Sequence, residues 1–204
     1  MIIRPQYLNA LRSYRNIPIV KILAGIRRCG KSTILDMLKN DLLSSGINKE
    51  QIIDRRYTSL SLDEGMDARS MYDDIKSIMT TDDMYYLLLD EVQEIPGWEK
   101  AVNSLSEDCK VDIYVTGSNS KLMSGEISTY LTGRYVLIPV YPLSFEEYLE
   151  FKNADHVEAK RLLPEYIRFG GFPIVARGDY DERSAYQIVE GIYNSVITSD
   201  ITKR

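Results

Sequence analysis

Gly25-Ile26-Arg27-Arg28-Cys29-Gly30-Lys31-Ser32 is the stretch on which the reading of this chain turns. It meets the spacing G-x-x-x-x-G-K-[ST] at every required position. The apolar run Ile17 to Ala24 precedes it and reads as a buried strand; Ser32 to Leu43 follows, with Leu35, Leu38 and Leu42 on one face, and reads as a helix. A loop this short wraps a phosphate only if its backbone N–H groups turn inward, and glycine at both ends permits that close approach. The start of the helix adds partial positive charge. Gly25, Cys29, Gly30, Lys31, Ser32 and Thr33 are therefore the expected nucleotide-binding residues. Lys31 brings an ammonium to the β- and γ-phosphates, the Ser32 hydroxyl is placed to ligate Mg²⁺, and Thr33 to donate to the α-phosphate. Arg27 and Arg28, at the variable loop positions, are read as facing solvent.

A second feature lies about sixty residues on. Met84-Tyr85-Tyr86-Leu87-Leu88-Leu89 is short, apolar and flanked by acids, which suits a central strand buried on both faces. Asp90-Glu91 closes it, so both carboxylates emerge at the carboxyl end of a strand, where open α/β sheets bind ligands. Asp90 is the expected second metal residue, accepting from Mg²⁺-bound water or from Ser32, and Glu91 the residue that polarises an attacking water. Thr116-Gly117-Ser118-Asn119 ends another strand, Val111 to Thr116, expected between the loop strand and the acidic strand. Ser118 or Asn119 then reaches the γ-phosphate or the water. Arg134, in Leu131-Thr132-Gly133-Arg134-Tyr135, is a candidate to stabilise charge in transit, from this chain or from a neighbour.

The remaining pattern is α/β. A strand is expected over Arg56 to Leu62, helices over Ala68 to Met79 and Trp98 to Cys109, and a fifth strand over Tyr135 to Val140. Ser144-Phe145-Glu146-Glu147 fits a capping box. From there the chain reads as helical: Ser144 to Lys152, Val157 to Arg168 and Glu182 to Ile197, interrupted by the turn Phe169-Gly170-Gly171-Phe172-Pro173. This divides the chain into a three-layer P-loop core with a parallel central sheet, 1–142, and a small helical C-terminal portion, 143–204. The final stretch, Thr198 to Arg204, lacks a closing cap and reads as continuing into a longer chain.

Composition narrows the alternatives. The 204 residues carry a formal charge of −5 with acids spread along the chain, which argues against broad nucleic-acid binding by this segment. Cys29 and Cys109 have neither CxxC spacing nor a histidine partner, and the single His156 sits among charges, so no structural zinc site is expected. No apolar run approaches the roughly 20 residues of a membrane span, and the first residues lack a signal-peptide pattern. The chain is expected to be cytoplasmic.

Taken together, these residues resemble the prokaryotic AAA-type ATPases carrying an AAA domain of group 14, often followed by a DUF4143 domain. The resemblance rests on Ile22 to Thr33, Leu89-Asp90-Glu91-Val92-Gln93-Glu94, Thr116 to Leu122, Leu131 to Tyr135, Pro142 to Tyr148 and Phe169 to Pro173. The adjacent Asp90-Glu91 pair fits the additional-strand branch of P-loop ATPases. The likeness implies ATP binding and hydrolysis, with Lys31, Ser32, Asp90 and Glu91 in the roles above and Asn119 or Ser118 as sensor. It implies a further C-terminal region beyond Arg204, and an N-terminal segment at Arg4-Pro5-Gln6-Tyr7 near the adenine. The expected partners are ATP, a second copy of the chain if Arg134 acts in trans, and a protein client. Two competing readings are a phosphotransferase, against which Asp90-Glu91 speaks, and an ATP-gated switch of slow turnover.

Overall fold

A strand buried at all its positions needs a neighbour on each side, and Tyr85–Asp90 (β3) has both. In this computed structural model, which describes residues 2–58, 65–118 and 130–198, β3 pairs in parallel with Ile52–Arg56 (β2) and with Val111–Gly117 (β4). Beyond β4 lie Val20–Ala24 (β1) and Tyr135–Pro139 (β5), also parallel. The sheet order is β2-β3-β4-β1-β5, with β4 between the loop strand and the acidic strand as the sequence predicts.

Strand alternation assigns the faces. Tyr85, Leu87 and Leu89 of β3 and Ile113 and Val115 of β4 share a core with Met71 and Ile75 of Ala68–Ile78 (α3) and with Ala101, Val102 and Leu105 of Trp98–Asp108 (α4). The even positions, Asp90 and Thr116 among them, therefore face the opposite layer. There Lys31–Ser44 (α2) packs on β3 and β4, and Pro5–Ser13 (α1) packs on α2. Three layers result, with a parallel sheet between helices.

Two elements differ from expectation. The second strand lies at Ile52–Arg56, not Arg56 to Leu62, because Ile52 and Ile53 are its buried positions. The rest of it is charged, as suits a sheet edge. Asp54 accepts from Lys39 (2.7 Å), Arg55 donates to Asp74 (2.8 Å) and Arg56 to Asp36 (2.5 Å). Residues 59–64 lie outside the described ones. Helix α1 was not expected; Pro5 suits a first helical position, and Tyr7, Leu8 and Leu11 form its buried stripe.

One polar cluster is fully buried in the sheet. Lys21 Nζ donates to Asp112 Oδ1 (2.5 Å) and to the Ile17 carbonyl (2.7 Å). Asp112 Oδ2 accepts from the Asn16 N–H (2.9 Å) and the Tyr114 hydroxyl (2.8 Å). Burial lowers the pKa of Lys21 although Asp112 opposes it, and burial raises that of Tyr114. The network ties the segment after α1 to the starts of β1 and β4.

The chain divides into two compact units: the sheet and its helices, residues 5–24 and 31–139, and a second unit of residues 2–4, 25–30 and 140–198. The second unit holds Phe145–Lys152 (α5), His156–Phe169 (α6), Pro173–Arg177 (α7) and Glu182–Val196 (α8). The capping box of α5 forms as the sequence predicts: Ser144 Oγ accepts from the Glu147 N–H (3.2 Å), and Glu147 Oε2 from the Ser144 N–H (2.8 Å). Tyr148 and Phe145 both pack on Tyr166. Gly171 is required by close approach, since a Cβ there would lie 2.1 Å from the Leu143 carbonyl oxygen.

Candidate functional site

In the sheet unit, the carboxyl ends of β3 and β4 sit side by side, with Leu89 opposite Val115. Asp90 is buried, and Thr116 Oγ1 donates to its Oδ1 (2.5 Å). The same hydroxyl accepts from the Glu91 N–H (2.9 Å), so one oxygen holds both acidic residues. Glu91 itself adopts the left-handed conformation (φ 56°, ψ 47°). For a residue with a Cβ this costs roughly 1–3 kcal/mol, a strain typical of functional positions.

Lys31 is the first residue of α2 and is 3% exposed. Its Nζ lies 3.6 Å from Glu91 Oε1. Gln93 Nε2 donates to the other Glu91 oxygen (2.5 Å). Ser118, just beyond β4, has a buried hydroxyl with no hydrogen-bond partner among the described residues. The sheet unit thus brings together Lys31, Asp90, Glu91 and Thr116, with Ser118 two residues beyond Thr116 in the chain; Ser32 follows Lys31 half-buried, and Thr33 is exposed. Asn119 lies outside the described residues.

In the second unit, Gly25 to Gly30 form a tight loop. A Cβ on Gly25 would come within 2.2 Å of the Val140 carbonyl oxygen and 2.8 Å of Cys29 Sγ, so the first glycine is obligatory. Gly30 has φ +103°, which side chains disfavour, and Arg28 is left-handed at φ 65°. Cys29 is fully buried. Arg28 is exposed, as expected; Arg27 is only partly so, and its Nε is buried.

Arg134 is not brought into the cluster. It precedes β5, and its carbonyl accepts from the N–H of Val20, the first residue of β1. That is the amino end of the parallel strands, about 13 Å from Ala24 at a rise of about 3.3 Å per residue. The Arg134 guanidinium is exposed and paired with Glu107 (2.5 Å). Arg134 therefore lies at the opposite end of the strands from this chain's own cluster, as a surface arginine after a turn.

Sequence reasoning missed Thr116 and Arg4. Thr116 carries a usable signal: β4 was expected beside β3, and an even-numbered hydroxyl at its end shares the face of Asp90. Arg4 has none, because its partners, the Glu147 carboxylate and the Cys29 and Tyr141 carbonyls, are distant in sequence.

A glycine loop after β1, an acidic pair at the carboxyl end of β3 and the order β2-β3-β4-β1-β5 define an α/β fold of the P-loop nucleotide-binding class. Residues 18–149 match the AAA domain family, and the chain belongs to it. The whole chain is 38% identical over 207 residues to an uncharacterized protein of Haemophilus influenzae, covering 51% of that protein. It is 31% identical over 194 residues to one of Methanocaldococcus jannaschii, with 91% of this chain and 42% of that protein covered. The chain thus spans about half the length of these curated relatives. Among solved structures, S. cerevisiae Hsp104 in its casein complex shares the fold, with a TM-score of 0.57 and 16% identity over 93% of this chain and 38% of that one. No helix among the described residues is long and apolar enough to cross a membrane.

Proposed function

We propose that this chain binds ATP with Mg²⁺ and hydrolyses it. The observation that carries the reading is the convergence of Lys31, Asp90, Glu91 and Thr116 at the carboxyl ends of β3 and β4, with Lys31 Nζ 3.6 Å from Glu91. A buried ammonium at the start of a helix, directly after a glycine loop, suits the β- and γ-phosphates. The loop supports this: it has no room for a Cβ at Gly25 and an unusual backbone at Gly30.

The donor set also fits Mg²⁺, a hard cation that takes oxygen ligands. Ser32 and Asp90 are the residues that would hold it; bound there, the metal would neutralise charge on the phosphates. One Asp90 oxygen is occupied by Thr116, and a carboxylate keeps further lone pairs. In the reaction, a water oxygen bonds to the γ-phosphorus while the bond to the β–γ bridging oxygen breaks. Glu91 takes the water's proton, ADP leaves with the bridging oxygen, and inorganic phosphate is the second product. The Ser118 hydroxyl, buried and without a partner among the described residues, supports a role in sensing the γ-phosphate or the water.

A second reading, an ATP-gated switch of slow turnover, draws on Gln93. Its amide holds the carboxylate that must act as base. Gln93→Ala should raise turnover if that contact restrains Glu91, and leave it unchanged otherwise.

Phosphate release and nucleotide binding, measured side by side, test the main reading. Lys31→Ala should lose ATP binding; Glu91→Gln should keep it and lose hydrolysis. Equal phosphate release by wild type and Glu91→Gln would remove Glu91 from catalysis.

A further inference from the structure

The loop contains a peptide whose direction decides whether it attracts or repels a phosphate. The Cys29 carbonyl and the Gly30 N–H belong to one planar trans peptide, so they point in opposite directions. Reversing that peptide would exchange an N–H for a carbonyl oxygen on the loop's inner side. It turns about the bonds on either side of it, and Gly30, with φ +103°, tolerates either sign of φ. Gly30 therefore sets little constraint on that peptide, and a contact from outside the loop can fix its direction.

Arg4 is 3% exposed, and its Nη1 donates to the Cys29 carbonyl (3.2 Å) and to the Tyr141 carbonyl (3.0 Å). The guanidinium is itself fixed by a two-pronged pair with Glu147, Nε to Oε1 at 2.7 Å and Nη2 to Oε2 at 3.0 Å. Glu147 is in turn held by its reciprocal cap with Ser144. All these residues belong to the same compact unit. A planar fork that grips a carboxylate on one edge and carbonyls on another suits arginine and not lysine.

We propose that Arg4 is a positioning residue for nucleotide binding: by holding the Cys29 carbonyl it aims the Gly30 N–H at the phosphates. The Arg4–Glu147 pair couples this loop peptide to the start of α5. The proposal rests on the ATP-binding reading and deepens it. Arg4 touches no reacting atom and acts only through the loop.

The test is a titration of the full chain with a fluorescent N-methylanthraniloyl ATP, together with the Gly30 amide resonance followed in ¹⁵N-labelled protein. Arg4→Lys and Arg4→Gln should raise Kd at least tenfold, and the Gly30 amide shift seen in wild type on adding nucleotide should be lost. Glu147→Gln, which loosens the anchor of the guanidinium but keeps its donors, should raise Kd less than Arg4→Gln does while lowering the melting temperature at least as much as Arg4→Lys. If Arg4→Gln does not fold, Arg4→Lys carries the comparison. Kd within twofold of wild type in Arg4→Lys, with binding lost in Lys31→Ala, would overturn the role of Arg4 and leave the phosphate site standing. Wild-type binding in Lys31→Ala as well would remove the site, and the proposal with it.

Discussion

Replacing Thr116 by valine removes one oxygen and keeps the branched shape. That oxygen is fully buried; it donates to Asp90 at 2.5 Å and accepts from the Glu91 N–H at 2.9 Å. A hydrogen bond to a charged group contributes about 1.5–3 kcal/mol and the amide bond a further 0.5–1, so the expected loss of stability is roughly 2–4 kcal/mol. For a chain of this size each kcal/mol lowers Tm by about 2–4 °C. Activity should fall further than stability alone requires, because the same hydroxyl holds Glu91 in its left-handed conformation. With that anchor gone the glutamate relaxes, and phosphate release drops about tenfold or more while nucleotide affinity changes little. Urea unfolding and phosphate-release assays on wild type, Thr116→Val and Thr116→Ser measure both effects. Serine keeps the hydroxyl and should recover most of each. A valine variant with wild-type Tm and wild-type turnover would refute the assignment of Thr116 as the tie between the two acids.

Gly25→Ala should abolish nucleotide binding, since its Cβ would overlap the Val140 carbonyl; a binding titration checks it. Asp112→Ala strands the Lys21 ammonium in the sheet and should cost roughly 3–5 kcal/mol in urea unfolding, with Lys21→Met on the same chain restoring most of it. Asp181 caps α8 by accepting from the Ser184 N–H (2.7 Å), and the Ser184 hydroxyl and N–H hold its carboxyl below the usual range. A depressed carboxyl contributes its stability in full above the unfolded value, about pH 4, and loses it as pH falls through the depressed value. An acid titration followed by circular dichroism should therefore show α8 less sensitive to acid in Asp181→Asn.

The elements legible in the sequence were those whose signal is local. The run from Tyr85 to Leu89 could only be a doubly buried strand, and Ser144 with Glu147 declared a helix start four residues wide. The place of β4 followed from its expected position between the loop strand and the acidic strand. Where burial depends on distant partners, the pattern failed. β2 is an edge strand whose charged side chains pair with α2 and α3, so its apolar signal shrinks to Ile52 and Ile53. α1 shows its apolar stripe only over Tyr7, Leu8 and Leu11, too short to stand out from a loop. In the candidate site, glycines and acids announced themselves by spacing. Thr116 and Arg4 act through partners 26 and 143 residues away, a relation that exists only after folding.

The central claim concerns where a triphosphate goes. A crystal structure of the chain with a non-hydrolysable ATP analogue and Mg²⁺ tests it most directly. The β- and γ-phosphates should lie against the backbone N–H groups of residues 25–30, with Lys31 Nζ withdrawn from Glu91 to reach them and the metal at Ser32 and Asp90. An analogue bound elsewhere, with Lys31 still on Glu91 and no phosphate in the loop, would contradict the assignment of this chain as an ATPase.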